Sequence, residues 1–150
     1  MLKKYIIFFL AGFLTSPLYS QCVDVGTINS QNQIDSLSGC EIFQGNLVLS
    51  GSDITDLSSL SSLSVVSGSF YLLNTSVTDL SPLSSLNSAQ QVLVQGNSFI
   101  NSCCEYLQFI EAAELGSIMN VSFSNNGVCD DIEAVMLDCL GYIEGCTDSE

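Results

Sequence analysis

Apolar residues return at a fixed interval between Ile34 and Gln95, and that interval restricts the fold more than any other feature of the chain. Ile34, Leu57 and Leu80 stand 23 residues apart, as do Leu37, Leu60 and Leu83, then Cys40, Leu63 and Leu86, then Phe43, Val66 and Ala89. Gly45 returns as Gly68, Leu47 as Phe70 and Leu49 as Leu72. The following unit is one residue shorter, which puts Val92, Val94 and Phe99 in the places of Phe70, Leu72 and Val77. Units of this length cannot bury an apolar face alone and do so by stacking on their neighbours. The expected fold is a mainly β solenoid with short helices: about three coils of 22–23 residues and a helical C-terminal cap.

Each unit divides into three parts. A short strand follows a glycine in Gly45–Leu49 and Gly68–Leu72 and recurs in Gln91–Val94; alternation sends Leu47, Leu49, Phe70, Leu72, Val92 and Val94 inward. A turn rich in Gly, Ser, Asn and Thr comes next. The third part is the matching pair Thr55-Asp56-Leu57-Ser58-Ser59-Leu60 and Thr78-Asp79-Leu80-Ser81-Pro82-Leu83, in which Asp56 and Asp79 are expected to cap a single helical or 3₁₀ turn. The outward strand positions form three rows: Val48, Tyr71 and Leu93; Ser50, Leu73 and Gln95; Asn46, Ser69 and Gln91. After Asn101 the pattern changes. Cys103–Leu115 reads as an amphipathic helix with Leu107, Ile110 and Leu115 along one stripe. Ile118–Phe123 reads as a strand with Val121 and Phe123 inward, Asn125-Asn126-Gly127 as a turn, and Asp130–Leu140 as a second helix.

The N-terminus has the layout of a secretory signal. Lys3 and Lys4 precede an apolar run from Tyr5 to Leu14, Pro17 breaks it, and Ser20 offers a small residue for cleavage. Ten apolar residues are too few to span a bilayer, which takes about 20. The expected division is a signal peptide at 1–20, a solenoid domain at 21–140 and a tail at 141–150 that could begin another module. Lys3 and Lys4 are the only basic residues, there is no His, and the Asp and Glu total 16. A chain exported without its signal therefore has no basic side chain. That argues against nucleic acid as a partner, since phosphate neutralisation needs Lys or Arg. Nucleophilic catalysis has no His or Lys to activate the many serines. No cofactor or metal is expected: a zinc site has no CxxC pair or His to build on, and no EF-hand spacing occurs. Paired carboxylates at Asp56 and Asp79 fit capping better than acid–base chemistry, because both fall at the start of a turn.

Behind a signal peptide, the cysteines read as disulfides. They avoid the regular stretch between Cys40 and Cys103, so they staple the two ends, where a solenoid exposes apolar surface. Cys22 is expected to pair with Cys40. Cys103 and Cys104 are expected to pair with Cys129 and Cys139, in either order, which leaves Cys146 unpaired. A lipid-bearing Cys22 is disfavoured, because the residue before it is Gln21 rather than a small one.

The unit Leu57-Leu60-Leu63-Val66-Gly68-Phe70-Leu72 resembles the receptor L-domain repeat, a relative of leucine-rich repeats found in growth-factor receptor ectodomains and in secreted bacterial proteins. Cys103-Cys104, Asn125-Asn126 and Cys129 are similar to the ending of the bacterial versions, and the resemblance covers roughly Cys22–Cys139. It implies a right-handed, β-helix-like solenoid that binds protein ligands or surfaces without catalysis. A leucine-rich repeat proper places an inward asparagine on its turn; Asn74 and Asn97 lie near that place. The functional expectation is a secreted or cell-surface recognition module that binds an extracellular protein or glycan through its strand face at Val48, Tyr71, Leu73, Leu93 and Gln95. The alternative is a structural spacer, or the remnant of a larger surface protein, with no ligand of its own.

Overall fold

The computed structural model describes residues 20–23, 26–127 and 129–131, together with Glu133, Val135, Met136 and Cys139. All of the proposed signal peptide but Ser20, the tail at 141–150 and Cys146 lie outside the described residues.

Eight strands form two sheets in which every pairing is parallel. The smaller sheet runs β1 (Gln21–Val23), β3 (Ile42–Gln44), β5 (Val65–Val66). The larger runs β2 (Thr27–Ile28), β4 (Leu47–Ser50), β6 (Phe70–Leu73), β7 (Ala89–Gln95), β8 (Ile118–Ser124). The register is the sequence repeat: Leu47 pairs with Phe70 and then Val92, and Leu49 with Leu72 and then Val94. All six are fully buried, as alternation requires. So are the recurring leucines Leu57, Leu60, Leu63, Leu80, Leu83 and Leu86, which close the core from the 3₁₀ turns Ser58–Leu60 and Ser81–Leu83. Each such side chain contributes roughly 1.5–3 kcal/mol by leaving water, so the stack is held by its period.

The smaller sheet is absent from the sequence expectation. Its strands are two or three residues long, too short for alternation to register. The two sheets of one coil meet at a corner, Gly45 in one coil and Ser67-Gly68-Ser69 in the next. There the backbones close in: the Gly68 N–H donates to the Gly45 carbonyl at 2.9 Å, and a Cβ at Gly68 would lie 2.7 Å from that oxygen. In the next coil only Gln90 and Gln91 fill this corner. The missing residue straightens it, and β7 runs unbroken for seven residues where the earlier coils have two strands.

The shorter unit regains its residue one turn later. Phe99, expected inward, is 61% exposed, and Ile100 takes the buried place beside Val77. Asn101 N–H bonds the Thr78 carbonyl, which restores the 23-residue offset. The helical cap also corrects the sequence reading. A 3₁₀ turn (Cys104–Tyr106) leads into α2 (Leu107–Glu114), which is longer than α1 (Gln31–Asp35). The buried stripe is Tyr106, Phe109 and Ala112; Leu107 and Ile110 are half-buried at its side, and Leu115 is 83% exposed. Tyr106 lies on this stripe because its ring stacks on Phe123 at 4.1 Å. Within β8, Phe123 is buried as expected, while Val121 is half-buried. Glu133, Val135, Met136 and Cys139 are helical, whereas Asp130 and Asp131, expected to open that helix, are not; its other residues lie outside the described residues.

Three disulfides join Cys22 to Cys40, Cys103 to Cys129 and Cys104 to Cys139. The order left open at the C-terminus is thereby assigned. Because the Cys22 sulfur is bonded to Cys40, it is not available for a lipid.

Candidate recognition face

The outer side of the larger sheet collects the outward residues into rows fixed by backbone pairing. The central row is Thr27, Val48, Tyr71, Leu93 and Ser122, and the next is Ser50, Leu73, Gln95 and Ser124. Val48, Tyr71, Leu73 and Leu93 are half-buried by mutual contact on a pleated surface, and Gln95 is exposed. The third row departs from expectation. Ser69 is buried, and its N–H donates to Asn46 Oδ1 at 2.9 Å, so these two residues belong to the corner. Gln91 does face outward, paired with Asn120.

Tyr71 is tethered. Its hydroxyl donates to Gln91 Oε1 at 3.2 Å. Tyr71 pairs directly with Leu93, so the phenol reaches back two residues along the neighbouring strand. Asn120, Ser122 and Ser124 extend the rows but were not singled out from sequence, because the step from Leu93 to Ser122 is 29 residues and hides the register.

No strand of either sheet contains a charged residue, although the chain carries a net charge of −14. The described carboxylates occupy turns, loops, the end of α1 and the cap. Asp56 and Asp79 are spent on their own turns. Asp56 Oδ1 accepts from the Ser58 N–H at 2.8 Å, and Asp79 Oδ1 accepts from the Ser81 N–H at 2.8 Å. They stand one residue earlier than a formal N-cap, with Leu57 and Leu80 at the boundary, yet they satisfy the free donors as expected. The Ser58 hydroxyl, then its N–H, holds the Asp56 carboxyl below its ordinary range. Among the described residues no three Cys, Asp or Glu side chains gather into a metal site.

The strands end in a second ladder, one that the sequence only hinted at. Gly51, Asn74, Gly96 and Asn125 follow the four paired strand ends and all have positive φ. After the last three of these come Thr75, Asn97 and Asn126, all buried, whereas Ser52 after Gly51 is exposed. Asn97 Oδ1 accepts from the Thr75 N–H at 2.9 Å, and its amide nitrogen donates to the Leu72 carbonyl at 2.9 Å. Asn126 Oδ1 accepts from the Asn97 N–H at 3.1 Å, its amide donates to the Val94 carbonyl at 2.8 Å, and its own N–H donates to Asp130 Oδ1 at 2.7 Å. Asn97 therefore fills the inward place; Asn74 does not, because it supplies the left-handed turn and Thr75 stands in the row.

The model of the family described as Receptor L domain matches residues 39–136, well over half of the chain. The chain belongs to the receptor L domain family. An L domain is a non-enzymatic ligand-binding module of cell-surface receptors, and its parallel sheets are the ones described above. Extracellular placement agrees with the three disulfides, which persist in oxidising compartments. No helix among the described residues is long and apolar enough to cross a membrane. Neither the curated proteins nor the solved structures gave a match.

Proposed function

We propose that this chain is a secreted or cell-surface recognition module that binds an extracellular partner through the outer side of its larger sheet, without catalysis. In this reading residues 1–20 direct export and are removed, and the domain is a right-handed parallel solenoid of about three coils. One observation supports it above the others: an uncharged, partly apolar surface built from Val48, Tyr71, Leu73, Leu93 and Gln95 in a chain of net charge −14. Strand propensity favours apolar residues here and disfavours carboxylates, but it does not require Tyr71 to be grouped with Val48, Leu73 and Leu93 on one outward face. Apolar patches centred on an aromatic residue mark interaction sites.

The test is capture of native surface material on the immobilised protein. Tyr71→Ser combined with Leu93→Ser is expected to abolish capture and to move the melting temperature by no more than a few degrees, because both side chains are only half-buried. Undiminished capture by the double variant would remove this face as the binding surface, and no capture by the parent would return the spacer reading.

A further inference from the structure

Resting on the recognition reading above, we propose that the ligand of this face is a neutral polysaccharide that runs across the strands.

The polar complement of the face is the first reason. The outward side chains of β7 and β8 beside the apolar patch are Gln91, Gln95, Asn120, Ser122 and Ser124: amides and hydroxyls, each able to donate and accept, with no formal charge. Off the face, four amides are consumed internally. Asn46, Asn97, Asn126 and Gln31 each satisfy backbone groups of a neighbouring coil. On the face, by contrast, the side chains of Gln95, Asn120, Ser122 and Ser124 take no hydrogen bond among the described residues, and Gln91 spends only its carbonyl oxygen. Unspent neutral donors and acceptors match the hydroxyls of a sugar. They offer no counter-charge to a basic protein partner.

The second reason is Tyr71. Its hydroxyl is tethered to Gln91, which keeps the aromatic ring beside Leu93 and the amide row. A pyranose stacks its C–H face on an aromatic ring while its equatorial hydroxyls reach the flanking amides. The third reason is spacing. Parallel strands in a sheet lie about 4.8 Å apart, close to the rise per residue of an extended β-linked pyranose chain. One sugar would therefore meet each coil. Charge selects within the class, because a net −14 repels uronates and sulfated glycans and leaves neutral ones unaffected.

Native affinity electrophoresis through gels cast with soluble β-glucan, xylan or galactomannan tests this, with polygalacturonate as the anionic control. At least one neutral polymer is expected to retard the protein, and polygalacturonate is not. Tyr71→Ala is expected to weaken the retardation by about tenfold, and Gln91→Ala by less, with both melting curves unchanged. Absence of retardation by every neutral polymer overturns the inference, as does retardation that survives Tyr71→Ala. Capture of surface material separates this failure from that of the recognition reading. Tyr71-dependent capture destroyed by protease and resistant to periodate leaves recognition standing with a protein ligand. Capture that does not depend on Tyr71 removes recognition by this face altogether.

Discussion

Two kinds of turn borrow a side-chain oxygen to satisfy backbone N–H groups, and they use opposite chemistry. At the ends of the larger strands the oxygens belong to Asn97 and Asn126, fully buried amides that also donate to Leu72 and Val94. At the 3₁₀ turns they belong to Asp56 and Asp79, exposed carboxylates that only accept. Burial decides the difference. A charge inside the stack would have to be neutralised, and the described residues include no basic side chain to do it, whereas an amide supplies both donor and acceptor at no cost in charge. In water the carboxylate is cheap, and its charge strengthens the hydrogen bond it accepts.

Asn97→Asp tests this contrast most severely. It places an unpaired carboxyl in the buried ladder, removes the donor to Leu72 and is expected to cost roughly 3–5 kcal/mol by urea unfolding at neutral pH. Burial raises the pKa of such a group, so the folded state binds its proton more tightly than the unfolded state. The deficit should therefore shrink as pH falls and be greatest above the folded pKa. A variant as stable as the parent at pH 7 would show that the ladder is hydrated.

Asp79→Ala removes one capping acceptor at an exposed turn and is expected to cost about 1 kcal/mol. Pro82 already fixes part of that turn, so the loss should fall at the lower end of this range. If Asp79→Ala matched Asn97→Asp in cost, burial would not be what separates the two ladders.

The smallest effect concerns pH. The Asp56 carboxyl is depressed by the Ser58 hydroxyl and N–H, so its contribution is present above the unfolded pKa and is lost as pH falls through the lower folded value. Asp56→Asn should flatten the acid limb of the stability profile slightly and leave neutral stability nearly unchanged. The group is almost fully solvated, which keeps the effect small. A steepened acid limb would contradict the assignment.

What the sequence disclosed follows from the same geometry. Inward positions were legible because two periods coincide, alternation along the strand and the 23-residue step between strands; Leu47, Phe70 and Val92 satisfy both. Where one period fails, so did the reading. Ile42 and Val65 lie in strands too short to alternate, and Phe99 is displaced by a residue regained after a turn. The asparagine ladder was half legible: Asn97 was near its place, but Asn126 stands 29 residues on, and Thr75 replaces the amide in the coil before. On the face, Val48, Tyr71 and Leu93 were named from alternation, whereas the amides and hydroxyls of β8 required the observed pairing.

The disulfides have a mechanical consequence. Under tension applied outside Cys22 and Cys139, the bonds Cys22–Cys40 and Cys104–Cys139 bypass both end segments, and force passes through the chain only between Cys40 and Cys104. The regular coils are then the sole extensible element, loaded in series with two inextensible clamps. Stretching would peel those coils one at a time, in steps set by the 23-residue repeat, and would stop at the clamps with both ends of the molecule still closed.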